Sequence, residues 1–124
     1  MSKILTGLIA AAALSLLAAG NAIAGSGYLR VVVVKTDNVA AYMQELDKGR
    51  AMMKKLGINV TLRIWKATYA GPETGTVVVS QEYASFAAFA EAQSKSTADA
   101  QFAAWIAGLD KVRTIVSDSL YREL

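Results

Sequence analysis

Residues 59–85, NVTLRIWKATYAGPETGTVVVSQEYAS, decide the fold. From Asn59 to Tyr69 the chain alternates. Val60, Leu62 and Ile64 point one way while Arg63, Trp65 and Tyr69 point the other, which is the two-residue period of a half-buried strand. Ala70 to Gly75 is a dense run of turn formers. Thr76 to Tyr83 resumes a β-branched run, so the segment reads as two strands joined as a hairpin. Ser85 then supplies a capping hydroxyl for a short helix that carries Phe86 and Phe89.

Working outward, Tyr28 to Lys35 (YLRVVVVK) is short and β-branched, and its four valines predict a strand buried on both faces. Thr36, Asp37 and Asn38 offer helix-capping oxygens. From Val39 the spacing becomes helical: Val39, Met43, Leu46 and Met53 form a stripe with Tyr42 and Leu56 at its edge. Gly57 suits a left-handed cap, and Lys54 and Lys55 suit the negative end of the helix dipole. Downstream of the hairpin, Ser96 and Asp99 resemble a capping box for a second helical piece with a stripe of Phe102, Trp105, Ile106 and Leu109. Val112 to about Leu120 reads as a last strand. The order strand, helix, strand, strand, helix, strand is the split βαβ pattern, an α+β ferredoxin-like βαββαβ fold with a four-stranded antiparallel sheet and its helices on one face.

That fold leaves one sheet face uncovered. If Leu29, Val31 and Val33 meet the helices, Val32 and Val34 share the other face with Trp65 and Tyr69. Such a patch is too apolar to leave wet. A second copy of the sheet would cover it, so a homodimer is expected. A domain of this size without disulfides gains most from such help.

The start of the chain carries a different signal. Lys3 precedes an uncharged Ala- and Leu-rich run from Ile4 to Ala19, and Ala22-Ile23-Ala24 closes it. This is the pattern of a cleavable export signal, residues 1–24, cut after Ala24 to leave a single domain from 25 to 124. The rival is a retained membrane anchor, for which a run of about 16 apolar residues is short against the roughly 20 a span needs. The expected location is the periplasm or the exterior, with no membrane attachment once the signal is gone. Without the leader, Lys plus Arg falls from 13 to 12 against 10 acids. That near-neutral balance gives no support to a nucleic-acid partner.

Missing residue types exclude whole mechanisms. The chain has no histidine and no cysteine. This removes the Ser-His-Asp triad, thiolate nucleophiles, and His- or Cys-ligated metals. No carboxylate spacing matches a calcium loop, and no phosphate-binding glycine motif occurs. No metal and no cofactor is expected.

The stretch from Ala67 to Ala92, ATYAGPETGTVVVSQEYASFAAFAEA, is similar to the hairpin-plus-helix segment of small NIPSNAP-like and antibiotic-monooxygenase-like domains, with Glu82-Tyr83-Ala84-Ser85 leading into the helix. In element order the chain resembles the dimeric α/β-barrel superfamily over nearly all of residues 25–124. The resemblance implies two sheets closing around a shared cavity, and a function among cofactor-free oxygenases, isomerases, haem-using enzymes and proteins of other roles. Haem-using members commonly rely on His, which is absent here, and no catalytic residue is carried over.

Within that frame four residues are candidates for lining a ligand cavity between the sheets. Arg63 would hold an anionic group and Trp65 would stack on it, or the two would serve a dimer interface. Arg30 shares the alternation of Val32 and Val34 and either joins them or lies at the strand's wet end. Glu82, late in its strand, is a base if covered and an ordinary surface charge if not. Tyr28, Tyr69 and Tyr83 could donate a proton or orient a ligand, or simply suit strands; Arg50 sits in the first helix's stripe with its stem packed and its head in water. Two functional classes follow. One is a small-molecule site in the dimer cavity, for binding alone or for cofactor-independent oxygenase or isomerase chemistry. The other is a non-catalytic stress or interaction protein whose sheet face is only an interface. The leader carries the first prediction: exported protein begins at Gly25, and mass spectrometry of the secreted material reads it. A membrane-bound chain retaining Met1 contradicts it.

Overall fold

The computed structural model describes residues 26–124, so the expected export signal lies outside the described residues. Four strands, β1 (Tyr28–Lys35), β2 (Thr61–Lys66), β3 (Val77–Tyr83) and β4 (Thr114–Arg122), alternate with three helices, α1 (Val39–Lys55), α2 (Phe86–Ala98) and α3 (Ala100–Leu109). All pairings are antiparallel and the sheet order is β2-β3-β1-β4. The split βαβ topology is as expected, and so are the two helical pieces that follow the hairpin, Phe86–Ala98 and Ala100–Leu109.

Local chemistry sets the element ends. Asn38 Oδ1 accepts the Ala41 N–H at 3.0 Å to start α1. At its other end Gly57 adopts φ 72°, with Gly57 N–H donating to Lys54 O and Ile58 N–H to Met53 O. This paired arrangement is a Schellman cap, closed by apolar contact within one cluster of Ile58 and Met53. Ser85 Oγ caps α2 through the Ala88 N–H. The expected box of Ser96 and Asp99 is not what forms. Asp99 Oδ1 caps α3 through the Phe102 N–H at 2.7 Å, while Ser96 belongs to the last turn of α2 and its hydroxyl donates to Ala92 O. The β2–β3 hairpin closes over a single 3₁₀ turn, Gly71–Glu73.

The core contradicts the face assigned to β1. Val32 and Val34 lie in one cluster with Tyr42 and Leu46 of α1, Leu109 of α3, and Val77 and Val79 of β3. Those two valines therefore face the helices, and Leu29, Val31 and Val33 take the open face. Four consecutive valines carry no polar alternation, so nothing local to β1 could set its face; pairing with β3 does. Val33 pairs with Val78 and Val32 with Val79, and Val79 also pairs with Ile64, whose face is fixed by packing onto the core. A bulge sits in β4, where Val33 pairs with Ser117 but Val34 with Ile115.

The stripe of α1 is also rotated. Its buried residues are Tyr42, Leu46, Gly49 and Met53, with Met43 exposed. Gly49 explains the rotation: a Cβ built there overlaps the Trp105 ring. Trp105 of α3 thus lies flat on the bare backbone of α1, its indole N–H donating to Glu45 Oε2 at 3.2 Å. Glycine inside a helix costs about 1 kcal/mol relative to alanine. Here it permits a close helix approach. Gly49→Ala is therefore expected to lower stability by about 2 kcal/mol through overpacking, a fall in Tm of roughly 10 °C, read by thermal denaturation. A rise in Tm, the outcome of helix propensity alone, contradicts the packing argument.

Candidate functional site

Strand alternation carries Arg30 to the same face as Val32 and Val34, toward the helices. Arg30 pairs in register with Gln81 on one side and Leu120 on the other. A cavity of about 330 Å³ lies between the helices and the sheet. Its wall is mostly apolar: Leu46, Phe102 and Trp105 come from the helices, and Val32, Leu62 and Val79 from the sheet. The sheet and the turn before β4 add the polar residues Arg30, Gln81, Tyr83 and Arg113, and α2 adds Gln93, Ser96 and Thr97. An apolar chamber with a few convergent polar groups is the usual form of a small-molecule site.

The polar groups are mostly locked. Arg30 makes a fork to Asp118, Nε to Oδ1 at 2.9 Å and Nη2 to Oδ2 at 2.7 Å. This bidentate geometry holds the Asp118 carboxyl below the usual carboxylate range, and burial opposes it less strongly; the charge of Arg113 pulls in the same direction. The same hydrogen bonds raise Arg30. Tyr83 donates its hydroxyl to Gln81 Oε1 at 2.8 Å. Burial pushes its phenol up, and the Arg30 charge only partly offsets that, so it stays neutral. Arg113 donates from Nη1 to the Tyr42 hydroxyl at 3.1 Å.

The four candidates named from sequence divide between the two faces. Arg30 lines the cavity beneath the helices. Arg63, Trp65 and Glu82 lie on the open face, where Arg63 pairs in register with Ser80, Trp65 with Val78, and Thr61 with Glu82. There Arg63 Nη2 lies 3.7 Å from Glu82 Oε2, with both side chains about half exposed. The Trp65 indole N–H donates to Ser80 Oγ at 2.8 Å, although the residue is 51% exposed. Arg30 therefore shares no space with the other three, and the expected convergence of all four on one cavity is corrected by the face assignment of β1. Tyr69 is fully exposed. Arg50 donates to Asp47 and to the Leu62 carbonyl with its head toward water.

Sequence reasoning did not single out Gln81 or Arg113. Gln81 was findable, since it lies opposite Arg30 once the register is known. Arg113 stands in the turn before β4, and no periodicity marks it. Among the described residues no cluster of Asp or Glu is arranged to hold a metal ion, and none of their helices is long and apolar enough to cross a membrane.

The chain matches no protein-family model and no curated protein sequence. Solved structures share its fold. A variant of SnoaB, described as a cofactor-independent oxygenase from Streptomyces nogalater, superposes with TM-score 0.57 at 14% identity, over 77% of this chain and 90% of that one. A NIPSNAP family protein from Agrobacterium tumefaciens gives TM-score 0.57 at 18% identity, over 79% and 91%. A dimeric ferredoxin-like protein from an uncultured marine organism gives 0.51 at 13%, over 78% and 85%. The likeness is one of fold: these structures share the α+β, ferredoxin-like arrangement that the order of elements predicts.

The Arg30–Asp118 fork makes stability depend on acid pH. The folded carboxyl has a lower pKa than the unfolded one, so the unfolded chain binds more protons in that window. The contribution of Asp118 is present above the ordinary carboxylate range and is lost as pH falls through its depressed value. Asp118→Asn should therefore lower Tm at neutral pH and narrow its gap to the wild type toward acid pH. A gap independent of pH contradicts the assignment.

Proposed function

We propose that the chain is exported after losing residues 1–24, pairs as a homodimer through the sheet face that carries Trp65, and holds a small organic ligand in the cavity beneath the helices of each protomer. The cavity of about 330 Å³, mostly apolar with a few polar groups in its wall, carries this reading. It moves the ligand from between the two sheets to a space inside each protomer. The other face suits association. Leu29, Val31, Val33 and Val78 lie there with Trp65, and two of its polar pairs are already matched, Arg63 with Glu82 and Trp65 with Ser80. Matching those pairs within the face lowers the desolvation cost of burying it. The dimeric ferredoxin-like neighbour has the same architecture.

Binding is better supported than catalysis. SnoaB is described as a cofactor-independent oxygenase; oxygenase or isomerase chemistry in this cavity by proton abstraction would need a general base within reach of the substrate. The described cavity wall offers cations to hold the resulting oxyanion but no carboxylate to take that proton. Glu82, the carboxylate considered for that role, lies on the opposite face of the sheet. The second reading, an interaction protein without a ligand, keeps the dimer and drops the cavity's occupant.

Two measurements test the proposal. Trp65→Glu should convert a dimer into monomers in sedimentation velocity at micromolar concentration, and a wild-type protein that sediments as a monomer contradicts the assembly. Naphthalene-sized ligands should raise the Tm of the wild type by mass action. They should leave Tm unchanged in Ala103→Phe, whose new ring fills the cavity rim from an exposed position. Equal shifts in both proteins place the ligand elsewhere.

A further inference from the structure

The charges around the cavity do not balance. Its described wall contains two charged residues, Arg30 and Arg113, and both are cations. One carboxylate serves them, and both Asp118 oxygens are taken by the Arg30 fork. Other carboxylates are occupied elsewhere: Glu45 by Lys48 and the Trp105 indole, Glu82 by Arg63 across the sheet. Arg113 is left with a neutral partner, the Tyr42 hydroxyl, bonded through Nη1. Its Nε–H is buried and has no acceptor among the described residues. A buried donor without a partner is rare in a folded protein and costly. A guanidinium in that state is satisfied best by an anion with two oxygens.

We propose that the cavity selects a monoanionic ligand, a carboxylate on an apolar body, with the carboxylate received by Arg113 and the body lying against Phe102, Trp105 and Val79. This rests on the reading of the cavity as a ligand site and adds the chemical class. Single charge follows from the count of two guanidiniums against one committed carboxylate. An apolar body follows from the wall. Arg30 stays with Asp118 and supplies a second positive charge in the same wall.

The probes are 2-naphthoate and 2-naphthalenemethanol, matched in shape and different in charge, titrated calorimetrically into the exported protein. Naphthoate is expected to bind at least about tenfold tighter, the scale of one charge-assisted hydrogen bond. Arg113→Met should remove that preference and leave the affinity for the alcohol unchanged; Arg113→Lys should restore part of it. Equal affinity of the two probes for the wild type overturns the anion assignment and leaves the cavity reading standing. Failure of both probes to bind overturns the cavity reading as well. If Arg113→Met weakens both probes alike and lowers Tm, the residue is a structural partner of Tyr42 and the proposal fails. The wild-type comparison holds whether or not either variant folds.

Discussion

A residue on a strand can face only one side of its sheet, and the pairing of β1 with β3 decides which side each residue of β1 takes. That register places Arg30, Val32 and Val34 beneath the helices. It sends Leu29, Val31 and Val33 to the other face, alongside Trp65 and Val78. A shift of one residue would bury Leu29 and Val31 against α1 and put the Arg30–Asp118 fork on the outside. The cavity, the place of Arg30 in its wall and the free sheet face all follow from this one alignment. The two faces then do different things. One encloses a chamber within a single chain, and the other presents an apolar surface on which Arg63 faces Glu82 and Trp65 bonds Ser80.

The helices complete the chamber by a second constraint. Trp105 can reach over α1 only because residue 49 has no side chain. Its ring then forms part of the cavity wall while its indole N–H is held by Glu45 at the surface. Asp99, by capping α3, turns the chain between α2 and α3 and lets Phe102 and Trp105 present together toward the sheet. Tilted contact between those two rings, 5.3 Å between centroids, stiffens that wall. Glycine, cap and aromatic pair are local features, yet together they determine how much room is left above Arg30.

Much of the architecture was legible in the residues. The alternation of Val60, Leu62 and Ile64, the turn formers from 70 to 75 and the capping residues Asn38 and Ser85 each have a local physical meaning, and the structure uses each of them; Asp99 caps a helix too, though as the cap itself rather than as partner to Ser96. The face of β1 was not legible, because four valines in succession satisfy either alignment. The rotation of α1 was hidden for a related reason. Glycine has no hydropathy signal, so Gly49 left the stripe centred on Met43 rather than on Tyr42 and Leu46. The site suffered most from this. Arg63 and Trp65 share a face, as their alternation required, and the register of β2 on β3 adds Glu82 to it, but Arg30 belongs to the opposite one with Gln81, and Arg113 enters from a turn where no period applies.

The two tryptophans report separately on the two faces, Trp65 on the open side and Trp105 on the wall of the cavity. A proton–nitrogen correlation spectrum of the exported protein should show one indole signal from each. The account predicts that adding an apolar carboxylate shifts the Trp105 signal and leaves Trp65 in place, whereas dilution toward monomer shifts Trp65 and leaves Trp105. A ligand that shifts Trp65 and spares Trp105 would contradict the division of the sheet into a ligand-holding face and an assembling one.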